Sequence, residues 1–326
     1  MFDPLKNDRK ARRARKTGVQ RHQPKKSHEA IMADMVEVAA SAENTAVTTY
    51  QPSRFEEGWL LSSLRPFYQQ ELITDVLAQV KGGKEASVYR CAATPNTGFE
   101  LAAAKVYRPR MFRQLRNDKM YREGRGLLSA EGQNLNQSVH ADRVQRAVGK
   151  KTNFGQQVSQ TSWLMYEYTT LGQLYQMGAA VPKPLASGEN AILMEYIGDE
   201  GMAAPLLSEV DLHPKEVRPL FDEVLRNIEL MLQHHMIHGD LSAYNILYWE
   251  GKITLIDFPQ VTNSLTNRNA RFILARDIER ICDYFADQGV ERAPDGILRA
   301  FWNRYQAVNQ RDQQADESRL NPDAWM

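Results

Sequence analysis

From His238 to Phe258 the chain reads HGDLSAYNILYWEGKITLIDF, and this stretch constrains the fold more tightly than any other. Two apolar runs, Ile246 to Trp249 and Ile253 to Ile256, flank a Glu250-Gly251 turn, which is the pattern of a short antiparallel hairpin. The five-residue step from Asp240 to Asn245 lets a loop aim a carboxylate and an amide into one cleft. The hairpin then returns Asp257 beside them. Phosphoryl transfer needs such a set: a carboxylate to orient or deprotonate the acceptor, and Asp and amide oxygens of the kind magnesium prefers. Asp240 takes the first role, and Asn245 and Asp257 the second. His-Gly-Asp alone would read as a turn and Asp257 alone as a strand-end cap, but their joint spacing favours the chemical reading. His238 reads as a structural, hydrogen-bonded anchor of the loop.

Upstream, Ile73 to Arg90 (ITDVLAQVKGGKEASVYR) reads as two strands about a Gly-Gly turn, and Phe99 to Tyr107 (FELAAAKVY) as a third. Lys105 sits inside that apolar run, where a charge is costly unless an anionic partner such as an ATP phosphate or a carboxylate lies against it. Glu167, on the amphipathic segment SWLMYEYTTL, is the candidate to orient it. The loop Lys81 to Ser87 offers backbone N–H groups, a hydroxyl and an ammonium to phosphates, although it fits neither G-x-x-x-x-G-K-[ST] nor G-x-G-x-x-G. Residues 109–160 lack strong periodicity and are too long for an ordinary connection, which leaves a functional flap or a mobile insertion. Helical pattern resumes from Ser162 to Met177. Ala191 to Ile197 reads as a buried strand, and Pro214 to His235 as an amphipathic helix with one continuous apolar face. A last helical stretch is expected from Asn269 to Phe285.

With 326 residues, 42% of them hydrophobic and 25% charged, the chain has room for two domains or one two-lobed domain with tails. The net charge of +1 conceals an asymmetry, because residues 1–30 carry 10 Lys or Arg against 3 Asp or Glu. Residues 1–52 are therefore read as a basic disordered tail and linker, and 311–326 as a polar tail. A basic tail is attracted to phosphate polyanions. Two cysteines, Cys91 and Cys282, make neither a disulfide framework nor a zinc site. No apolar run spans a membrane and no secretory h-region follows the basic N-terminus, so a cytoplasmic setting is expected.

The ordered set GGKEASVY, AAKVY, WLMYEY, AAPLL (203–207), HGDLSAYNIL and LIDFPQ resembles the RIO family of atypical serine/threonine protein kinases and ATPases, over roughly residues 55 to 290. The resemblance implies an α+β, two-lobed protein-kinase-like fold within 53–310. It comprises a small antiparallel β-sheet N-lobe (70–192), a hinge (194–198), and a mainly helical C-lobe (199–310) lacking the peptide-docking subdomain. It implies ATP with magnesium or manganese as cofactors. Gly83, Lys84, Glu85, Ser87, Lys105 and Glu167 would serve the nucleotide, Met194 would be the gatekeeper, and backbone at Glu195 and Ile197 would hold adenine. Asp240 would be catalytic, with Asn245 and Asp257 as metal ligands. Family members are understood to form a phosphoaspartate at the position matching Asp257, which makes Asp257 a nucleophile or phosphate acceptor. Arg276-Asp277 would support the catalytic loop.

The sequence departs from conventional protein kinases in having His-Gly-Asp for His-Arg-Asp, Ser242 where Lys is usual, Asp-Phe-Pro for Asp-Phe-Gly, and no Ala-Pro-Glu segment. Autophosphorylation or ATPase switching is therefore expected ahead of phosphorylation of protein substrates. Family members in eukaryotes and archaea act in small ribosomal subunit maturation, and the basic N-terminal tail is compatible with a ribosomal or RNA partner. Two other readings compete. A small-molecule phosphotransferase of the aminoglycoside or choline kinase type shares the HGDLxxxNIL loop, but GGKEASVY and AAPLL stand against it. A non-catalytic nucleotide- or RNA-binding scaffold would have no physical need of Lys105, Asp240, Asn245 and Asp257 together.

Overall fold

The structure is a computed structural model that describes residues 48–83, 85–108, 121, 125–130, 132–137, 141–150 and 152–305, without the side chains of 54, 55 and 153. The tail and linker assigned to 1–52 lie almost wholly outside the described residues, as do Lys84, much of 109–140 and the polar tail 311–326.

A five-stranded antiparallel sheet carries the first half of the molecule. Its strands are β1 (Ile73–Gly82), β2 (Ala86–Ala93), β3 (Leu101–Tyr107), β4 (Pro184–Ser187) and β5 (Ala191–Glu195), in the order β1-β2-β3-β5-β4. Alternation along β3 decides which side chain meets which layer. Ala102, Ala104 and Val106 face a core shared with helix α1 (Arg54–Gln69), where Leu60, Leu64 and Phe67 are fully buried. Tyr107, and with it the side of β3 that bears Lys105, faces helix α3 (Asn153–Gln176). There Tyr107 stacks edge-on against Trp163 at 4.8 Å. Because α1 shares its core with the sheet, this layer begins well ahead of residue 70.

Helix α3 starts at Asn153, earlier than the Ser162 boundary that apolar periodicity suggests, and follows α2 (Ala141–Gly149) closely. Thr152 caps it by accepting the Gly155 N–H at 3.1 Å. A Cβ at Gly155 would meet the Ala147 carbonyl oxygen at 2.1 Å, so the α2–α3 corner requires glycine.

The second half is built on α4 (Pro214–Gln233), whose buried face of Val217, Leu220, Phe221, Val224, Ile228, Met231 and Leu232 follows the helical period read from sequence. Asn227 lies on the same face, fully buried. Its Oδ1 accepts from Ala180 N at 2.7 Å, and Ala180 O in turn accepts from Leu255 N at 2.7 Å. The helix thus holds the hairpin of β7 (Ile246–Trp249) and β8 (Lys252–Leu255) through one intervening loop. The two-stranded pair β6 (Met236–Ile237) and β9 (Thr262–Asn263), helix α5 (Ala270–Asp287) and a helical stretch at 294–305 complete this half. One cysteine is buried in each half: Cys91 in the sheet core and Cys282 on α5. Burial pushes their thiols up to about 12 and about 11 respectively. No helix among the described residues is long and apolar enough to cross a membrane.

Candidate active site

Lys105 is flanked by two carboxylates. Its Nζ donates to Glu167 Oε1 at 2.5 Å and to Asp257 Oδ1 at 2.6 Å. The β3 register that places Lys105 opposite Val88 and Ile192 turns its side chain toward α3, which brings in Glu167. The Glu167 side chain is 4% exposed and its second oxygen accepts from the Tyr107 hydroxyl. Burial alone would lower the pKa of the Lys105 ammonium, but Asp257 and Glu167 hold it well above the ordinary lysine value. Burial raises Glu167 against the pull of Lys105. Asp257 differs: burial raises it, yet Lys105 outweighs that and lowers it, so this carboxylate stays ionised. Its side chain is 42% exposed.

Asp257 takes a left-handed backbone conformation, φ 73°, that a non-glycine residue adopts only when its surroundings enforce it. On its N-terminal side, Ile256 N donates to Asn245 O at 3.0 Å, and the His238 ring lies with Nε2 3.2 Å from Ile256 O. His238 Nδ1 accepts the Asp240 N–H at 3.3 Å, which assigns the proton to Nε2. Burial lowers the histidine pKa, so the ring is neutral and serves as the anchor expected from sequence.

The loop between β6 and β7 presents Asp240 and Asn245. Asn245 Nδ2 donates to Asp240 O at 2.7 Å and Oδ2 at 3.3 Å, and Arg280 Nη1 donates to Asp240 Oδ1 at 2.8 Å. Helix α5 fixes the backbone beneath. Asp277 accepts the N–H groups of Gly239 at 2.7 Å and Leu241 at 3.2 Å, and Arg276 donates to Gly239 O. Burial pushes Asp277 up to about 7 against the pull of those amides and of Arg276. Gly239 has φ 86°, and a Cβ there would stand 2.4 Å from Gln260 O, which excludes the arginine conventional kinases carry at this place.

Of the other residues that the sequence assigns to the nucleotide, the described ones lie on or beside the sheet. Gly83 N donates to Ala86 O at 2.9 Å at the β1–β2 tip, Glu85 O accepts from Arg108 N at 2.9 Å, and Ser87 is buried on β2 opposite Gly82 and Val106. Lys84 is outside the described residues. Met194 packs against both the α3 layer and the second-half core. Glu195 N and Oε2 are engaged by Lys183, and Ile197 O accepts from Ala204 N.

The donor set fits a magnesium ion. Asn245 turns its Nδ2 to Asp240, so Oδ1 is the atom that would face a metal, and Lys105 takes one of the two Asp257 oxygens. No ready-made cage of three or more His, Cys, Asp or Glu is found among the described residues. Sequence reasoning missed Tyr107, Arg125, Arg280 and the direct Lys105–Asp257 bond. Arg280 was within reach, lying four residues after Arg276 on the same helix face.

An antiparallel sheet carrying a lysine paired to a helix glutamate, beside a loop and hairpin that present Asp, Asn and Asp, defines the protein-kinase-like class. Residues 131–296 match the RIO domain family model. The chain belongs to the RIO family. It is 33% identical over 135 residues to the RIO-type serine/threonine-protein kinase Rio1 of Thermoplasma acidophilum, covering 41% of this chain and 69% of the relative. To the Rio1 kinase of Haloferax volcanii it is 27% identical over 221 residues, 67% of this chain and 66% of the relative. Among solved structures, the Rio2 kinase of Chaetomium thermophilum shares the fold with a TM-score of 0.50 at 17% identity, covering 82% of this chain and 84% of that one.

Proposed function

We propose that this chain is an ATP- and magnesium-dependent kinase and ATPase of the RIO type that modifies itself, on Ser/Thr or at Asp257, and acts as a switch. The observation that carries this reading is the Lys105 ammonium held between Glu167 and Asp257, which supports a role for that lysine at phosphate oxygens and for Asp257 at a metal ion. Bound magnesium would supply charge neutralisation at the transferring phosphoryl group. Asp240, with both carboxylate oxygens accepting hydrogen bonds, would orient the acceptor or an attacking water. Asn245 and Asp257 would hold the metal, and Glu195 and Ile197 would meet adenine. Gly83, Lys84, Glu85 and Ser87 would cover the phosphates. Asp257 is ionised and partly exposed, as a carboxylate nucleophile must be. The basic stretch at residues 1–30 supports an RNA or ribosomal partner through charge alone.

The test is incubation with magnesium and ATP labelled on its terminal phosphate, followed by acid gel and hydroxylamine. Label that hydroxylamine removes and Asp257→Ala abolishes is the aspartyl-phosphate outcome. Hydroxylamine-stable label identifies Ser/Thr autophosphorylation. The absence of both label and phosphate release would overturn the reading.

A further inference from the structure

The connection between β3 and α3 comes back to the site at Tyr121 and at residues 125–128, and each contact it makes there falls on a different part of the machinery. Tyr121 is buried in the second-half core, and its hydroxyl accepts from Arg276 Nη1 at 2.7 Å. The same guanidinium donates to Gly239 O in the catalytic loop. Arg125 donates from Nη1 to Pro259 O at 2.9 Å and from Nη2 to Val261 O, just beyond Asp257. Its guanidinium lies 4.1 Å from the ring centroid of Tyr166, the residue before Glu167. Leu128 N donates to Ser162 Oγ on α3 at 2.9 Å, and the Leu128 side chain packs with Tyr107 and Trp163.

We propose that Tyr121 and residues 125–128 form an internal brace, and that Arg125 is a positioning residue that sets the Asp257 loop against the helix bearing Glu167. The proposal rests on the kinase reading above and adds a part to it. The physical need is visible in the backbone: Asp257 is held at φ 73°, and such a conformation persists only when neighbouring structure over-determines it. His238 and Asn245 restrain the chain on the N-terminal side of Asp257. On the C-terminal side Arg125 reaches the carbonyls of Pro259 and Val261, on either side of Gln260, with one planar fork, a geometry that a lysine, with a single point charge, does not reproduce. The ring of Tyr166 supports the other face of the fork, so the brace registers the position of α3 and of the Asp257 loop together. Conventional kinases place these parts with an activation segment. In this chain Tyr121, Arg125 and Leu128 perform that work.

Two measurements on the full chain test the brace. The first is amide hydrogen exchange over residues 257–262 in the nucleotide-free protein, for wild type, Arg125→Lys and Arg125→Ala. The second is the magnesium concentration that half-saturates ATP turnover, set beside ADP affinity measured without magnesium. Faster exchange in that peptide is expected, with Arg125→Lys intermediate. The magnesium requirement should rise by about tenfold in Arg125→Ala, while magnesium-free ADP affinity stays within about twofold. Arg125→Lys keeps the charge and stem, so it remains informative if Arg125→Ala folds poorly. Unchanged exchange in both variants overturns the brace. So does faster exchange with an unmoved magnesium requirement, or a loss of ADP affinity equal to the loss of magnesium affinity, which is what general damage produces. Should wild-type protein turn over no ATP, the kinase reading fails, and the exchange data alone then decide the brace.

Discussion

The two halves of the site are held in place by opposite means. Around Lys105 the structure uses buried charge: an ammonium and two carboxylates in contact, with Glu167 almost wholly out of solvent. Around Asp240 it uses backbone: α5 grips the amides and carbonyl of residues 239–241, and the Asp240 carboxylate is left 36% exposed. Charge out of water is expensive to leave unpaired, whereas an ion pair open to solvent contributes little. Lys105 and Glu167 should therefore carry stability and chemistry together, and Asp240 chemistry alone.

The largest effect that tests this contrast is Asp240→Ala. Turnover should fall by about two to four orders of magnitude, the range of a lost general base, with the urea midpoint nearly unmoved because the Arg280 pair is open to solvent. Near wild-type turnover would break the comparison at its chemical end. Next comes Lys105→Met, which strips Glu167 of its counter-ion and should cost about 3 kcal/mol of unfolding free energy besides abolishing turnover. Equilibrium denaturation measures this, and wild-type stability in the variant would mean that the triad is no buried charge network.

A pH-dependent effect sharpens the contrast on the backbone side. Asp277 titrates near 7 in the folded chain, above the ~3.9 of an ordinary aspartate. Below ~3.9 it is protonated in both states. Between there and about 7 only the folded state keeps the proton, and above that both states are ionised. Stability from this group is therefore present at low pH and lost as pH rises through that window, levelling off beyond it. Wild type should lose stability relative to Asp277→Asn from about pH 4 to 7 and run parallel to it above. A difference that does not change with pH would show that the carboxylate is already ionised throughout.

What sequence reveals of this molecule follows the distance over which each relationship acts. The α4 face is legible because its apolar residues recur at 3.6-residue spacing, and the hairpin because Glu250-Gly251 supplies two positive-φ residues between apolar runs. Asp240 and Asn245 are five residues apart and needed no tertiary knowledge, and the buried position of Lys105 demanded an anion. Helix α1 is hard to read because Gly58 and Pro66 interrupt it, and the first turns of α3 because Asn153 to Thr161 are mostly polar. The Lys105–Asp257 bond spans 152 positions and the Arg276–Tyr121 bond 155, and no local pattern encodes either. Asn227 is a polar residue on an apolar face, so its role shows only once the Ala180 amide is beside it.

The pair of buried cysteines has a practical meaning. Thiolate is the reactive form, and burial that raises both pKa values keeps each sulfur inert while its surroundings stay closed. Cys91 sits under the sheet and Cys282 on α5, so each half of the molecule carries one natural reporter. Alkylation timed against denaturant then becomes a pair of clocks, each recording how often its own half opens.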